Sequence, residues 1–186
     1  MNNSKPHSRM KAIISIMIMT AVLMLTLAGT AESALAAGSV TTITAEQATK
    51  IALKDAGTKK SKVKKLVCTF EKDVEDGDQY EVRFRKGGYQ YEYEILEEVG
   101  KIREKEIRLI KKEKKKGKAT ITKKQAKKTA LKKAKIKNPK KLTIKKDKDD
   151  GVKIWEVKFR KGSYKYEVEI SRVTGKLLKI EKQLLK

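Results

Sequence analysis

Four glutamates are the residues whose spacing could do chemistry, because carboxylates brought together in pairs can share a proton or hold a hard cation. They lie in two stretches with the same pattern, "YEVRFRKGGYQYEYEI" from Tyr80 and "WEVKFRKGSYKYEVEI" from Trp155. Both alternate strictly, so each reads as two strands joined by a two-residue turn, Gly87-Gly88 or Gly162-Ser163. That turn length sets the register. Glu81 then faces Glu94 and Glu156 faces Glu169, on the face of the hairpin expected to be wet. Arg83 and Lys158 lie diagonally beside them, so the row reads as a mixed-charge surface, with no metal and no acid-base role assigned.

Other reactive residues are few. The one histidine, His7, stands in the N-terminal stretch. The one cysteine, Cys68, sits in "LVCTF" and alternates with Leu66 and Phe70, the position of a small core residue on a strand. Ser39, Ser61, Ser163 and Ser171 fall in no recognisable nucleophile context. The chain therefore reads as non-enzymatic, with no cofactor and no catalytic residue.

The first 36 residues read as an export signal. Lys5, Arg9 and Lys11 form a basic start, an apolar run extends from Ala12 to Gly29, and Ala34-Leu35-Ala36 supplies a small-x-small cleavage site. The alternative is an uncleaved anchor, since the run approaches the length of a spanning helix. Cleavage would remove His7 and with it any imidazole chemistry.

The rest of the chain is one unit written twice. "ITAEQATKIALKDA" from Ile43 matches "ITKKQAKKTALKKA" from Ile121, and the hairpins match 75 residues apart. Thr44 with Gln47, and Thr122 with Gln125, form capping boxes that open a helix in each copy. Ala48, Ile51, Ala52 and Ala56 recur at helical spacing, Gly57 closes the first helix, and Pro139 is placed to stop the second. Strands come next in each copy: "KLVCTF" or "KLTIKK", the hairpin, then a short strand after Gly100-Lys101 or Gly175-Lys176. The expected fold class is α+β: two tandem modules, each a helix packed on a three- to four-stranded antiparallel sheet. The expected divisions are a signal peptide at 1–36, a leader at 37–42, a first module at 43–107, a basic linker at 108–120 and a second module at 121–186. Expressed separately, each module is expected to fold.

In the order and content of these stretches, with "VGKI" and "TGKLLKIE" closing the copies, the chain resembles a tandem of PepSY domains, the family named for peptidase propeptides. The resemblance implies an exported, non-catalytic module that restrains or modulates an extracytoplasmic peptidase. No peptidase domain and no H-E-x-x-H accompany it, so such a peptidase would be another chain.

The two copies differ in charge. Of the formal +24, the first 36 residues hold three bases and one acid, leaving +22. Residues 43–107 carry fourteen of each sign and are neutral, so all of the excess lies from Arg108 onward, thirty bases against eight acids. Lysine predominates, which favours diffuse attraction over bidentate recognition. The candidate polyanion-binding residues are Lys111, Lys112, Lys114, Lys115 and Lys116 before the second helix, and Lys123, Lys124, Lys127 and Lys128 along it. Lys132, Lys133, Lys140 and Lys141 extend the set. Export and the absence of aromatic residues from this helix argue against nucleic acid. The expected partners are an extracytoplasmic protein, with a peptidase among the candidates, and an anionic membrane surface or wall polymer. The expected location is secreted or envelope-associated.

Overall fold

Each helix begins where the capping residues say it should. In the computed structural model, which describes residues 42–75, 77–111 and 117–185, α1 spans Ala45–Ala56 and α2 spans Lys123–Ala134. Thr44 Oγ1 accepts from the Gln47 backbone N–H while the Thr44 N–H donates to Gln47 Oε1, and Thr122 and Gln125 repeat the exchange. Two of the four orphan N–H groups at each start are thereby satisfied. The stretch read as an export signal, and Lys112, Lys114, Lys115 and Lys116, lie outside the described residues.

The helix ends differ from the reading of the sequence. Pro139 does not stop α2; Lys135 does, in the left-handed conformation (φ 59°), at the place where the first copy has Gly57 (φ 62°). A side chain there is strained, and glycine is not. Lys135→Gly is therefore expected to stabilise the protein by about 1 kcal/mol, read as a higher midpoint in urea unfolding. The exposed bond from Lys135 Nζ to the Asp55 carbonyl, which the change removes, offsets little of it.

The strands are β1 (Lys64–Glu71), β2 (Gln79–Lys86), β3 (Tyr89–Leu96), β4 (Ile102–Leu109), β5 (Lys140–Asp149), β6 (Val152–Lys161), β7 (Tyr164–Ser171) and β8 (Leu177–Leu184). The hairpin registers are those the two-residue turns dictate, Phe84 opposite Tyr91 and Val82 opposite Tyr93, then Phe159 opposite Tyr166 and Val157 opposite Val168. The architecture is α+β, but the strands do not form two sheets. They form one antiparallel sheet of eight in the order β1-β2-β3-β4-β8-β7-β6-β5, and Ser39–Lys186 is one compact unit. The join is β4 against β8, with Ile107 opposite Ile180 and Glu106 opposite Glu181. A strand that ends a four-stranded meander has a free edge, and here each such edge is covered by the other. β4 also runs to Leu109, two residues into the stretch read as linker.

Both helices lie on the same face. Ala48, Ala52 and Leu53 pack with Val82, Phe84, Tyr93 and Ile95; Ala126 and Ala130 pack with Trp155, Val157, Phe159, Val168 and Ile170. Small residues on the helix let it approach the large ones on the sheet. The two cores are continuous through the seam, because Tyr91 touches both and Ile107 of the first copy belongs to the second core.

The open sheet face and the lysine helix

The face opposite the helices is covered by nothing among the described residues. Its central row crosses four strands as Glu92, Glu106, Glu181 and Glu167, each directly opposite the next, with Arg83 and Lys158 at the two ends. Like charges directly opposite on adjacent strands destabilise a sheet. The cations relieve part of this: Arg83 pairs with Glu81 and lies 3.6 Å from Glu92, Lys158 Nζ lies 3.0 Å from Glu156 and 3.1 Å from Glu167, and Lys179 Nζ lies 2.8 Å from Glu181 and 3.6 Å from Glu106.

The paired carboxylates fall in the expected register, Glu81 opposite Glu94 and Glu156 opposite Glu169, but the face is drier than expected. Glu81 is only 6 % exposed. Burial and a hydrogen bond shared with Glu92 push its carboxyl up to about 7, against the lowering effect of Arg83. Burial does the same to Glu169, also to about 7, with Lys179 opposing. Glu104, which the sequence reading did not single out, is likewise pushed up to about 7, first by burial and then by Glu94, Glu181 and Glu106, with Arg103 opposing. Its counterpart 75 residues later is Lys179, so the second copy has a cation where the first has a further acid.

Glu104, Glu106 and Glu181 were missed because only the pairing of β4 with β8 brings them together. The alternation in "REKEIR" from Arg103 and "KIEKQ" from Lys179 is the signal that would have found them. Among the described residues no group of three or more carboxylates or thiols is arranged to hold a metal ion.

These shifts make stability depend on pH. A carboxyl that keeps its proton up to about 7 when folded, but releases it near 4.5 when unfolded, binds extra protons on folding in that window. Its contribution therefore falls as pH rises from 4.5 through 7 and stays low above it. Glu104→Gln is expected to unfold at a higher temperature than the parent at pH 8, by about 1 kcal/mol of stability for a partly exposed group. The difference is expected to vanish near pH 4.5, as measured by calorimetry.

On the other side, Lys123, Lys124, Lys127, Lys128, Lys132 and Lys133 are all exposed along α2, and Lys111, Lys140 and Lys141 are exposed at the ends of β4 and β5. α2 contains no acid, whereas α1 has Glu46 in its first turn, bonded to Lys50 at 2.9 Å. Lysines in the first turn oppose the helix dipole, so this surface is not arranged for helix stability. The sheet edges are β1 and β5. Both carry a bulge, with Lys65 and Lys141 left-handed, and lysines that discourage strand addition.

Residues 120–181 match the family described as the peptidase propeptide and YPEB domain, PepSY. This PepSY segment runs from the residues just before α2 into the last strand and includes the whole second core apart from Ile107. No curated protein matches the chain. Two solved structures are similar. One is a candidate lipoprotein from Clostridium difficile 630, 21 % identical, covering 66 % of this chain and 84 % of its own, with a TM-score of 0.29. The other is the YpeB C-terminal domain from Bacillus megaterium, 12 % identical, covering 78 % and 99 %, with a TM-score of 0.28. Among the described residues no helix is long and apolar enough to cross a membrane.

Proposed function

We propose that the chain is an exported, non-catalytic interaction protein built from two PepSY-type copies, which binds an extracytoplasmic protein through the open face of its sheet. The observation that carries this reading is the glutamate row from Glu92 to Glu167, a preformed surface whose charges are only partly neutralised from within. The PepSY match over 120–181 supports the module class, and the shared order of one α-helix and four strands, the matching N-terminal caps and the matching hairpin registers support reading 43–107 as its first copy. Each of the four glutamates has a cation within 3.6 Å, but Arg83, Lys158 and Lys179 are each shared between two glutamates, and a partner presenting lysine or arginine would relieve that sharing.

The partner class we favour is a secreted peptidase that the module restrains, as the resemblance to propeptides implies. The test is capture of partners from the extracytoplasmic fraction at physiological salt, then an activity assay on any peptidase recovered. Inhibition by the intact chain, weakened in Glu106→Lys, is the expected result. Unchanged peptidase activity would remove the regulatory part of the reading.

A second reading rests on α2, whose six exposed lysines face no acid of their own helix. It makes this surface an adhesive for anionic membrane or wall polymer, compatible with a protein partner on the opposite face.

A further inference from the structure

The two copies build the same backbone frame and reverse the charges on it. In the first, the Glu97 N–H donates to the Asp78 carbonyl at 2.9 Å and the Ile43 N–H donates to the Glu97 carbonyl at 2.9 Å. In the second, the Arg172 N–H donates to the Lys153 carbonyl at 2.9 Å and the Ile121 N–H donates to the Arg172 carbonyl at 3.1 Å. Arg172 thus stands where Glu97 does, and Lys153 where Asp78 does. The aromatic pair of the first copy, Phe70 against Tyr80 with centroids 5.2 Å apart, becomes Lys146 opposite Trp155.

These substitutions surround one place. Lys146, Lys148, Lys153 and Arg172 line a shallow open depression with Ala119 and Asp147, four cations against one carboxylate. The Asp147 carboxylate already accepts from the Lys148 backbone N–H at 2.7 Å. Arg172 lies over the Trp155 ring at 5.4 Å and Lys146 at 5.9 Å, while the indole N–H is committed to the Ile121 carbonyl at 2.7 Å. Lys153 donates to the Gly117 carbonyl at 3.3 Å, which holds its ammonium at the rim. Among the described residues the Arg172 guanidinium forms no ion pair, and its Nε is buried without an acceptor.

We propose that this depression is a discrete binding site for a phosphate group, distinct from the diffuse lysine field of α2. Arg172, fixed on Trp155, offers the planar fork suited to two phosphate oxygens, and Lys146, Lys148 and Lys153 supply the remaining charge. A group bearing up to two negative charges matches this set better than a carboxylate. Such a phosphate is found both on lipid headgroups and on polyol phosphates in solution.

Trp155 is the only tryptophan in the chain, so its emission reports on the site. The intact protein is titrated with inorganic phosphate at constant ionic strength, with acetate as the comparison. A saturable change in emission with phosphate, weak or absent with acetate, is expected. The double variant R172E with K153D restores the residues that the first copy carries on the same frame, and should weaken binding tenfold or more. A second variant, Lys146→Gln with Lys153→Gln, should weaken it in the same direction. Replacing Lys124, Lys127 and Lys128 by glutamine should leave it unchanged. Glycerol 1-phosphate and vesicles of phosphatidylglycerol separate the sources: the arm that produces the Arg172-dependent change identifies which one reaches the site. No saturable response, an equal response to acetate, retention of affinity in R172E/K153D, or equal loss in the α2 variant would each overturn the proposal.

Discussion

Reversing Lys124, Lys127, Lys128 and Lys132 to glutamate is expected to weaken binding to anionic vesicles or wall polymer by roughly a thousandfold at low salt. A lysine near an anionic surface contributes about 1 kcal/mol, so loss of four attractions alone accounts for that factor and the new repulsions add to it. These side chains lie on the exposed face of α2, away from Ala126 and Ala130, so the core is untouched. The parent's affinity should itself fall steeply with added salt, because such a field is screened over about 10 Å at 0.1 M. Co-sedimentation with vesicles across a salt series measures both effects. Binding that is strong, salt-independent and unaffected by the reversal would remove the adhesive reading of α2.

The largest loss of stability is expected at Asp55, the last acid of α1. Its carboxylate accepts from Lys105 Nζ at 2.5 Å and from the Tyr93 hydroxyl at 3.0 Å, and lies 4.0 Å from Lys182 Nζ. Burial alone would raise its carboxyl, but Lys105, the two hydrogen bonds and Lys182 outweigh it and hold it below its ordinary value. Lys105 and Lys182 face each other across the β4–β8 seam, 15 % and 12 % exposed, so this one carboxylate is shared by a cation from each copy. Asp55→Asn would leave two adjacent, largely buried ammonium groups facing each other. Removing one partner of a buried pair costs 3–5 kcal/mol, and about 3 kcal/mol is the expectation at a site that retains some water. Denaturant unfolding of Asp55→Asn, with Asp55→Leu/Lys105→Met as the partly restored control, measures it. The sign with pH is opposite to that of Glu104: the contribution of Asp55 is present above about 3.8 and is lost as pH falls below its folded value.

The sequence displays what is local. Thr44 and Gln47 satisfy each other within one turn of helix, and the two residues Gly87-Gly88 leave one register for Val82 and Tyr93. Neither depends on a distant contact, so both are legible from the residues alone. The seam is not, because nothing in "KIREKEIRL" says which edge it will meet, and it is that choice which lines up Glu92, Glu106, Glu181 and Glu167. The burial of Glu81 is not legible for a different reason: the alternation says which face it occupies, while its dryness depends on how neighbouring side chains, Arg83 and Glu92 among them, settle against it. The end of α2 was misplaced because Pro139 is a conspicuous stop signal, whereas a lysine in the left-handed region carries no signature; only its alignment with Gly57 reveals it. The seam also changes what is expected of the copies expressed apart. Each would expose β4 or β8 as a bare edge and lose the Asp55–Lys182 contact, so the two halves should reassociate when mixed.

The proposal of a protein-binding sheet face is tested most directly by photo-crosslinking from single positions of the full-length chain in its native extracytoplasmic setting. A photoreactive residue placed at Gln90, on the open face beside Arg108, should form a defined protein adduct at physiological salt that Glu106→Lys suppresses. The same residue at Lys128 on α2 should give no such adduct. Absence of any protein adduct from the open face, with adducts from α2 instead, would contradict the account.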